Sequence, residues 1–213
     1  MERLAIFDVD FTLTKRETLM EFYLFMIKKN PKNIIHLPRS LAAVLLYALR
    51  VFDEKRVKQN FLRFIDGIEE KHMKSLVKEF YSERLSNIFY EDAMNMIKKL
   101  KKEGYKIFLI SASPEFYLNE LYNIKEVDKV IGTRFYCENG IHMPKMLGEN
   151  CKGQEKVNRL MEVLEKENIE VDFKESYMFS DSLSDLPLFN LVGHPYLINY
   201  KNKHDTIEIL KWK

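Results

Sequence analysis

Cysteine is nearly absent. The chain has two, Cys137 and Cys151, too few and too far apart for a disulfide framework or a thiolate metal site. The five histidines, His36, His72, His142, His194 and His204, include no pair four residues apart, which argues against a zinc site on one helix face. No apolar run nears the ~20 residues that span a bilayer; the longest, Leu41 to Leu49, falls far short. Met1-Glu2-Arg3 leads at once into a strand-like run, so no signal peptide is expected. A cytoplasmic protein without stable membrane insertion is the expectation. Net charge is only +2, so no nucleic acid partner is implied. There is no internal repeat and no low-complexity stretch.

What is present can build a sizeable core. Of 213 residues 46% are hydrophobic, including 15 Phe, 11 Tyr and one Trp, enough for one domain or a domain with an insertion. Charge is unevenly placed. From Lys28 to Arg63 there are nine Lys or Arg against Asp53 and Glu54, a local excess suited either to a solvated helical face or to steering anionic substrates.

From Thr14 to about Tyr90 the pattern is helical and glycine is scarce. Met20, Tyr23, Leu24 and Ile27 form one stripe. Pro38 suits the first turn of a helix carrying Leu41, Val44, Leu45 and Ala48. Val57, Phe61, Phe64 and Ile65 make a third stripe, and Met73, Leu76, Val77 and Phe80 a fourth. Such stripes are expected to pack a bundle, and the Met, Phe and Tyr between Met20 and Met26 could also line a substrate site. Elsewhere apolar strands alternate with helices, at Leu4 to Phe7, Tyr105 to Ile110, Val130 to Ile131, Ser176 to Phe179 and Tyr196 to Ile198, which argues for a parallel α/β sheet. Asn139-Gly140 predicts a tight hairpin turn. A Lys-rich C-terminal helix is expected to close the chain.

Three of these strands run into small hydroxyls or carboxylates. The first ends in Asp8-Val9-Asp10-Phe11-Thr12, the second in Ser111-Ala112-Ser113-Pro114, the third in Ser180-Asp181-Ser182-Leu183-Ser184-Asp185. Asp8 and Asp10 share a strand face, and two adjacent acids repel unless a proton or cation lies between them. Hard cations such as Mg²⁺ prefer such oxygen ligands, and open α/β sheets bind ligands at these strand ends.

Asp8-x-Asp10-x-Thr12, Ser111, Lys156 and Asp181-x-x-x-Asp185, in that order, resemble the haloacid dehalogenase superfamily of aspartate-nucleophile hydrolases, and within it the phosphoserine-phosphatase-like branch. The resemblance implies a Rossmann-like parallel-sheet α/β core of residues 1–14 and 91–213, with an inserted helical cap of residues 15–90. It implies a phosphomonoester hydrolase acting on a small phosphorylated metabolite, phosphoserine among the candidates, as a monomer or homodimer. Asp8 would be the nucleophile, Asp10 the general acid and base, and Lys156 the neutralising cation. Mg²⁺ would be held by Asp8, the Asp10 carbonyl and Asp181, with Asp185 binding it or orienting its waters. Thr12, Ser111, Ala112 and Glu17 would serve the substrate, Thr12 chiefly by shaping the loop. Lys152, one helical turn before Lys156, is an alternative for the phosphate contact, and Glu17 is equally an ordinary first-turn helix acid. Ser-Ala-Ser and Ser-Asp-Ser-Leu-Ser-Asp depart from the Ser-Gly-Gly and Gly-Asp-Gly-x-Asn-Asp usual in phosphoserine phosphatases. A phosphotransferase using the same aspartyl-phosphate, or a non-catalytic module for anionic ligands, are the rival readings.

Overall fold

The computed structural model describes the backbone of residues 1–213 and every side chain except those of Ser40 and Val44. Six parallel strands form the main sheet: β1 (Leu4–Phe7), β2 (Lys106–Pro114), β3 (Val127–Thr133), β6 (Tyr177–Ser180), β7 (His194–Ile198) and β8 (Glu208–Leu210). Their order is β3-β2-β1-β6-β7-β8, so β1 is central and the chain winds outward from it in both directions. Both faces of β1 are buried, as its unbroken apolar sequence requires. Ala5 and Phe7 point into one core, with Phe179 and Trp212, while Leu4 and Ile6 point into the other, with Ile110 and Met178. Phe7 stacks on Phe179 at 4.5 Å between ring centroids. A second sheet is a hairpin of β4 (Phe135–Glu138) and β5 (Ile141–Met146). Asn139 and Gly140, at φ 50° and 75°, make its turn as expected.

Eight α-helices, joined in places by short 3-10 helices, complete the fold among the described residues: α1 (Thr18–Lys29), α2 (Leu37–Ala48), α3 (Glu54–Phe61), α4 (Glu70–Glu83), α5 (Glu91–Lys102), α6 (Glu115–Leu118), α7 (Gln154–Lys166) and α8 (Leu186–Phe189). Helix α5 buries Ala93, Ile97 and Leu100, begins with Glu91 and Asp92, and ends in lysines before Gly104 at φ 88°, matching its macrodipole and a left-handed C-terminal cap. Helix α4 buries Met73, Leu76, Val77 and Phe80, the stripe anticipated for it.

Three expectations are corrected. Helix α1 buries Leu19, Phe22, Tyr23, Phe25 and Met26, while Met20 and Leu24 are exposed; the segment is apolar nearly all round, so its periodicity does not select a face. Helix α2 turns its stripe outward, with Leu41 and Leu45 both more than 60% exposed; Val44 of that stripe lies outside the described residues. The chain closes on β8, paired in parallel with β7, rather than on a helix. Ile207 is buried and Trp212 packs against Phe7 and Phe179, so pairing and packing outweigh a lysine-rich composition.

One glycine holds the end of β2 in place. A Cβ on Gly132 would lie 2.8 Å from the Ser113 carbonyl oxygen and 2.9 Å from the Glu115 Cα. Gly132→Ala should therefore destabilise the fold by about 1–3 kcal/mol, an overpacking cost, measurable by thermal or urea unfolding. An unchanged midpoint would mean that β2 and β3 can separate freely.

Candidate active site

The carboxyl ends of β1, β2 and β6 meet at one cavity of about 300 Å³. The chain leaves β1 through Asp8, whose amide donates to the Phe179 carbonyl at 2.9 Å, then turns at Phe11 with φ 58°. Asp8, Asp10, Asp181 and Asp185 line the cavity together with Lys156, Ala112 and Ser113, with Glu17, Lys58 and Lys152 also contributing to its wall.

Lys156, at the start of α7, is 2% exposed. Its Nζ donates to Asp8 Oδ1 and to Asp185 Oδ2, both at 2.6 Å. Burial alone would depress its pKa, yet the charges of Asp8 and Asp185 and their hydrogen bonds hold it above the ordinary lysine value. Burial pushes the Asp8 carboxyl up, against the pull of Lys156. Asp185 also accepts from Ser180 Oγ at 2.8 Å. Lys152, the alternative cation, instead pairs with Glu54 at 2.6 Å on the surface, so Lys156 is the lysine that reaches Asp8.

Asp10 lies at the N-terminus of α1, where unpaired amides favour an anion. Its Oδ1 accepts from the Thr18 amide at 2.6 Å and from Thr18 Oγ1 at 2.7 Å. Its Oδ2 accepts from Ser113 Oγ at 2.7 Å and Ser111 Oγ at 3.1 Å. The Thr18 hydroxyl also meets the hydroxyl of the fully buried Tyr117 at 3.1 Å. Four donors therefore hold this carboxylate in one orientation.

Two expected substrate contacts are placed differently. Ser111 is fully buried and spends its hydroxyl on Asp10, while Ala112 and Ser113 line the cavity. Thr12 is also buried and its Oγ1 accepts from the Asp181 amide at 2.9 Å. It ties the first loop to the third, as its loop-shaping role requires, and does not line the cavity. Glu17 stands at the rim, its carboxyl raised by loss of water and by Asp10 and lowered by Lys58. Several partners escaped sequence reasoning. Ser113 had a signal, since it lies two residues from Ser111 in a strand. Lys58 had none; one lysine among nine cations, it donates to the Ala112 carbonyl at 2.8 Å and to Asn150 Oδ1 at 2.7 Å.

The residues fit a hard divalent cation. Asp185 Oδ1 is buried with no hydrogen-bond partner. Burial first, then the charges of Asp185 and Asp10, push the Asp181 carboxyl up to about 6 against the pull of Lys156, as expected where acids outnumber the cation among them. Among the described residues no three His, Cys, Asp or Glu side chains form a metal cluster. Mg²⁺ needs only one or two carboxylates, the rest of its octahedron being carbonyl, water and phosphate oxygens.

Comparison with known proteins decides the family. Residues 5–190 match the family model of haloacid dehalogenase-like hydrolases. The chain belongs to that family. This hydrolase is 25% identical to a histidinol-phosphatase of Neisseria meningitidis serogroup C over 214 residues, covering 93% of this chain and 91% of the relative. A crystal structure of a protein of unknown function from Bordetella pertussis Tohama I superposes with a TM-score of 0.83 at 19% identity, covering 94% and 92% of the two chains. A substrate-bound phosphoserine phosphatase superposes at 0.64 with 16% identity, covering 94% and 88%. The hydrolase thus shares the phosphoserine-phosphatase-like fold. Among its described residues no helix is long and apolar enough to cross a membrane.

Proposed function

We propose that this hydrolase is a Mg²⁺-dependent phosphomonoesterase working through a phosphoryl group carried on Asp8. One observation carries the reading: a buried carboxylate at the end of the central strand, bonded at 2.6 Å to a buried lysine and beside a second carboxylate held by four donors. Asp8 attacks phosphorus and the ester oxygen leaves, so one difficult displacement becomes two easier ones. Lys156 neutralises charge on the phosphoryl oxygens. Asp10 gives its proton to the leaving oxygen and later takes one from the water that hydrolyses the aspartyl-phosphate. Asp8, the Asp10 carbonyl and Asp181 would hold Mg²⁺, which supplies further positive charge to the transferring group. Asp185 orients Lys156. Residues 15–90 act as a cap over a core of residues 1–14 and 91–213.

The test is release of inorganic phosphate from a panel containing phosphoserine, histidinol phosphate, sugar phosphates, nucleotides and lysophosphatidate, each with Mg²⁺ and with EDTA. Metal-dependent release from at least one compound is expected. No release by the folded protein from any of them would contradict the reading.

Two further outcomes follow. Asp10→Asn should lose about 10²–10⁴-fold in kcat, the usual share of general acid–base catalysis, with Mg²⁺ binding retained because its expected ligand there is the main-chain carbonyl. A loss much smaller for substrates with good leaving groups would identify the acid role; equal losses for all leaving groups would contradict it. Lys58 supplies a pH dependence. Burial lowers its pKa to about 8, against the charges of Asp10, Glu54 and Glu17. It is cationic below that value and neutral above, so KM for a dianionic ester should rise several-fold, about three- to tenfold, as pH passes 8. Lys58→Met should have the higher KM throughout and lack that rise; the wild-type profile in the variant would remove Lys58 from substrate capture.

A further inference from the structure

The outward stripe of α2 belongs to a larger face. Ile34, Ile35, Leu41, Leu45, Leu49 and Val51 are each at least 55% exposed, an unusual concentration of bare aliphatic side chains within one short segment. Ala43 is the one deeply buried residue among the described side chains of α2. The chain has no Asp or Glu from Phe22 to Phe52, while Lys32, Arg39 and Arg50 punctuate the exposed stretch. A helix with apolar and basic groups and no acids suits the interface of an anionic bilayer, where aliphatic side chains enter the acyl boundary and cations meet the headgroups. A second copy is a poorer occupant, because two such faces would oppose cation to cation.

The same helix borders the site on its other side, where Tyr47 lies one turn from the buried Ala43. Tyr47 of α2 lines a cleft of about 410 Å³ with Met20, Val57 and Phe61, and that cleft shares Glu17, Lys58 and Ala112 with the carboxylate cavity. The walls of the carboxylate cavity are charged; in the cleft, Met20, Val57 and Phe61 form an apolar strip beside Glu54, whose carboxylate accepts from the Tyr47 hydroxyl at 3.4 Å. A leaving group that runs from the carboxylate cavity toward α2 therefore meets the apolar strip of Met20, Val57 and Phe61.

We propose that the Ile34–Val51 face docks the protein on an anionic lipid surface, and that the cleft beside Tyr47 takes a phosphomonoester whose leaving group is a lipid alcohol. The substrate half rests on the phosphomonoesterase reading above; the docking half does not. The P–O ester bond breaks, the lipid alcohol leaves with a proton from Asp10, and water supplies the oxygen that completes inorganic phosphate and restores the proton to Asp10.

The experiment uses the full chain and vesicles of phosphatidylcholine with or without phosphatidylglycerol, at low and high salt, by co-sedimentation. Binding is expected only with phosphatidylglycerol, weaker at high salt. The double substitution Leu41→Glu/Leu45→Glu should weaken it about tenfold or more, while hydrolysis of a water-soluble aryl phosphate stays at the wild-type rate. Lysophosphatidate presented in the anionic vesicles should be hydrolysed faster than glycerol phosphate in solution, and this preference should shrink in the double variant. No vesicle binding by the wild type, equal binding by the variant, or a wild-type dimer that the substitutions dissociate would each overturn docking. Hydrolysis of glycerol phosphate with no preference for lysophosphatidate would overturn the substrate half alone. Vesicle binding with no hydrolysis of any ester would leave docking standing and bring down the phosphomonoesterase reading.

Discussion

Asp8→Asn should lower kcat by about four orders of magnitude or more, with the fold intact. The amide keeps the shape of the carboxylate and cannot carry the phosphoryl group. Folding should tolerate the change, because Asp8 is a buried acid whose charged form burial already disfavours and Lys156 keeps its bond to Asp185. Initial rates, with circular dichroism to verify folding, separate chemistry from stability. A rate within tenfold of wild type would show that the nucleophile lies elsewhere.

Lys156→Met should cost stability as well as rate. The side chain is 2% exposed and touches both Asp8 and Asp185, so its loss leaves two acids buried together without their shared cation. Breaking such a buried pair costs about 3–5 kcal/mol, and removing a preorganised positive group from the reacting phosphate costs about 10²–10³-fold in kcat. The pH dependence has a definite sign. The lysine's folded pKa is raised, so its stabilisation is complete below the unfolded value of ~10.4 and disappears as pH climbs through the folded value. Burial pushes the Asp8 carboxyl up to about 8, so the gap between wild type and variant should be widest just above pH 8, narrow as pH falls through 8 and Asp8 takes up a proton, and close in strong alkali. Urea unfolding at several pH values measures it. A gap under about 1 kcal/mol near pH 9, where Asp8 is ionised and Lys156 still charged, would mean that the acids relax into water when the lysine goes.

The motif was legible because chemistry and geometry coincide in it. An apolar run ending in Asp8 and Asp10 can be little else than a buried strand with two acids at its end, and the structure puts both in one cavity with Lys156, Asp181 and Asp185. Helix α4 and the Asn139-Gly140 hairpin were equally plain, each with one face or turn type available. Helix α2 was not. Its periodicity identified a helix but carries no information on whether the stripe meets a core or solvent. Neither did composition distinguish β8 from a helix, since its three residues depend on pairing with β7. Ser111 shows the same limit within the site: its position at the strand end was evident, but the 3.1 Å bond to Asp10 depends on how β1 and β2 align.

The most direct test of the central claim is to quench the enzyme in acid during turnover of its best substrate and search for phosphate bound to protein by peptide mass spectrometry. The expected result is an acyl phosphate on the peptide containing Asp8, absent from Asp8→Asn and discharged by hydroxylamine. Rapid-quench sampling that finds a full burst of product but no phosphorylated Asp8, or phosphate on another residue, would contradict the account.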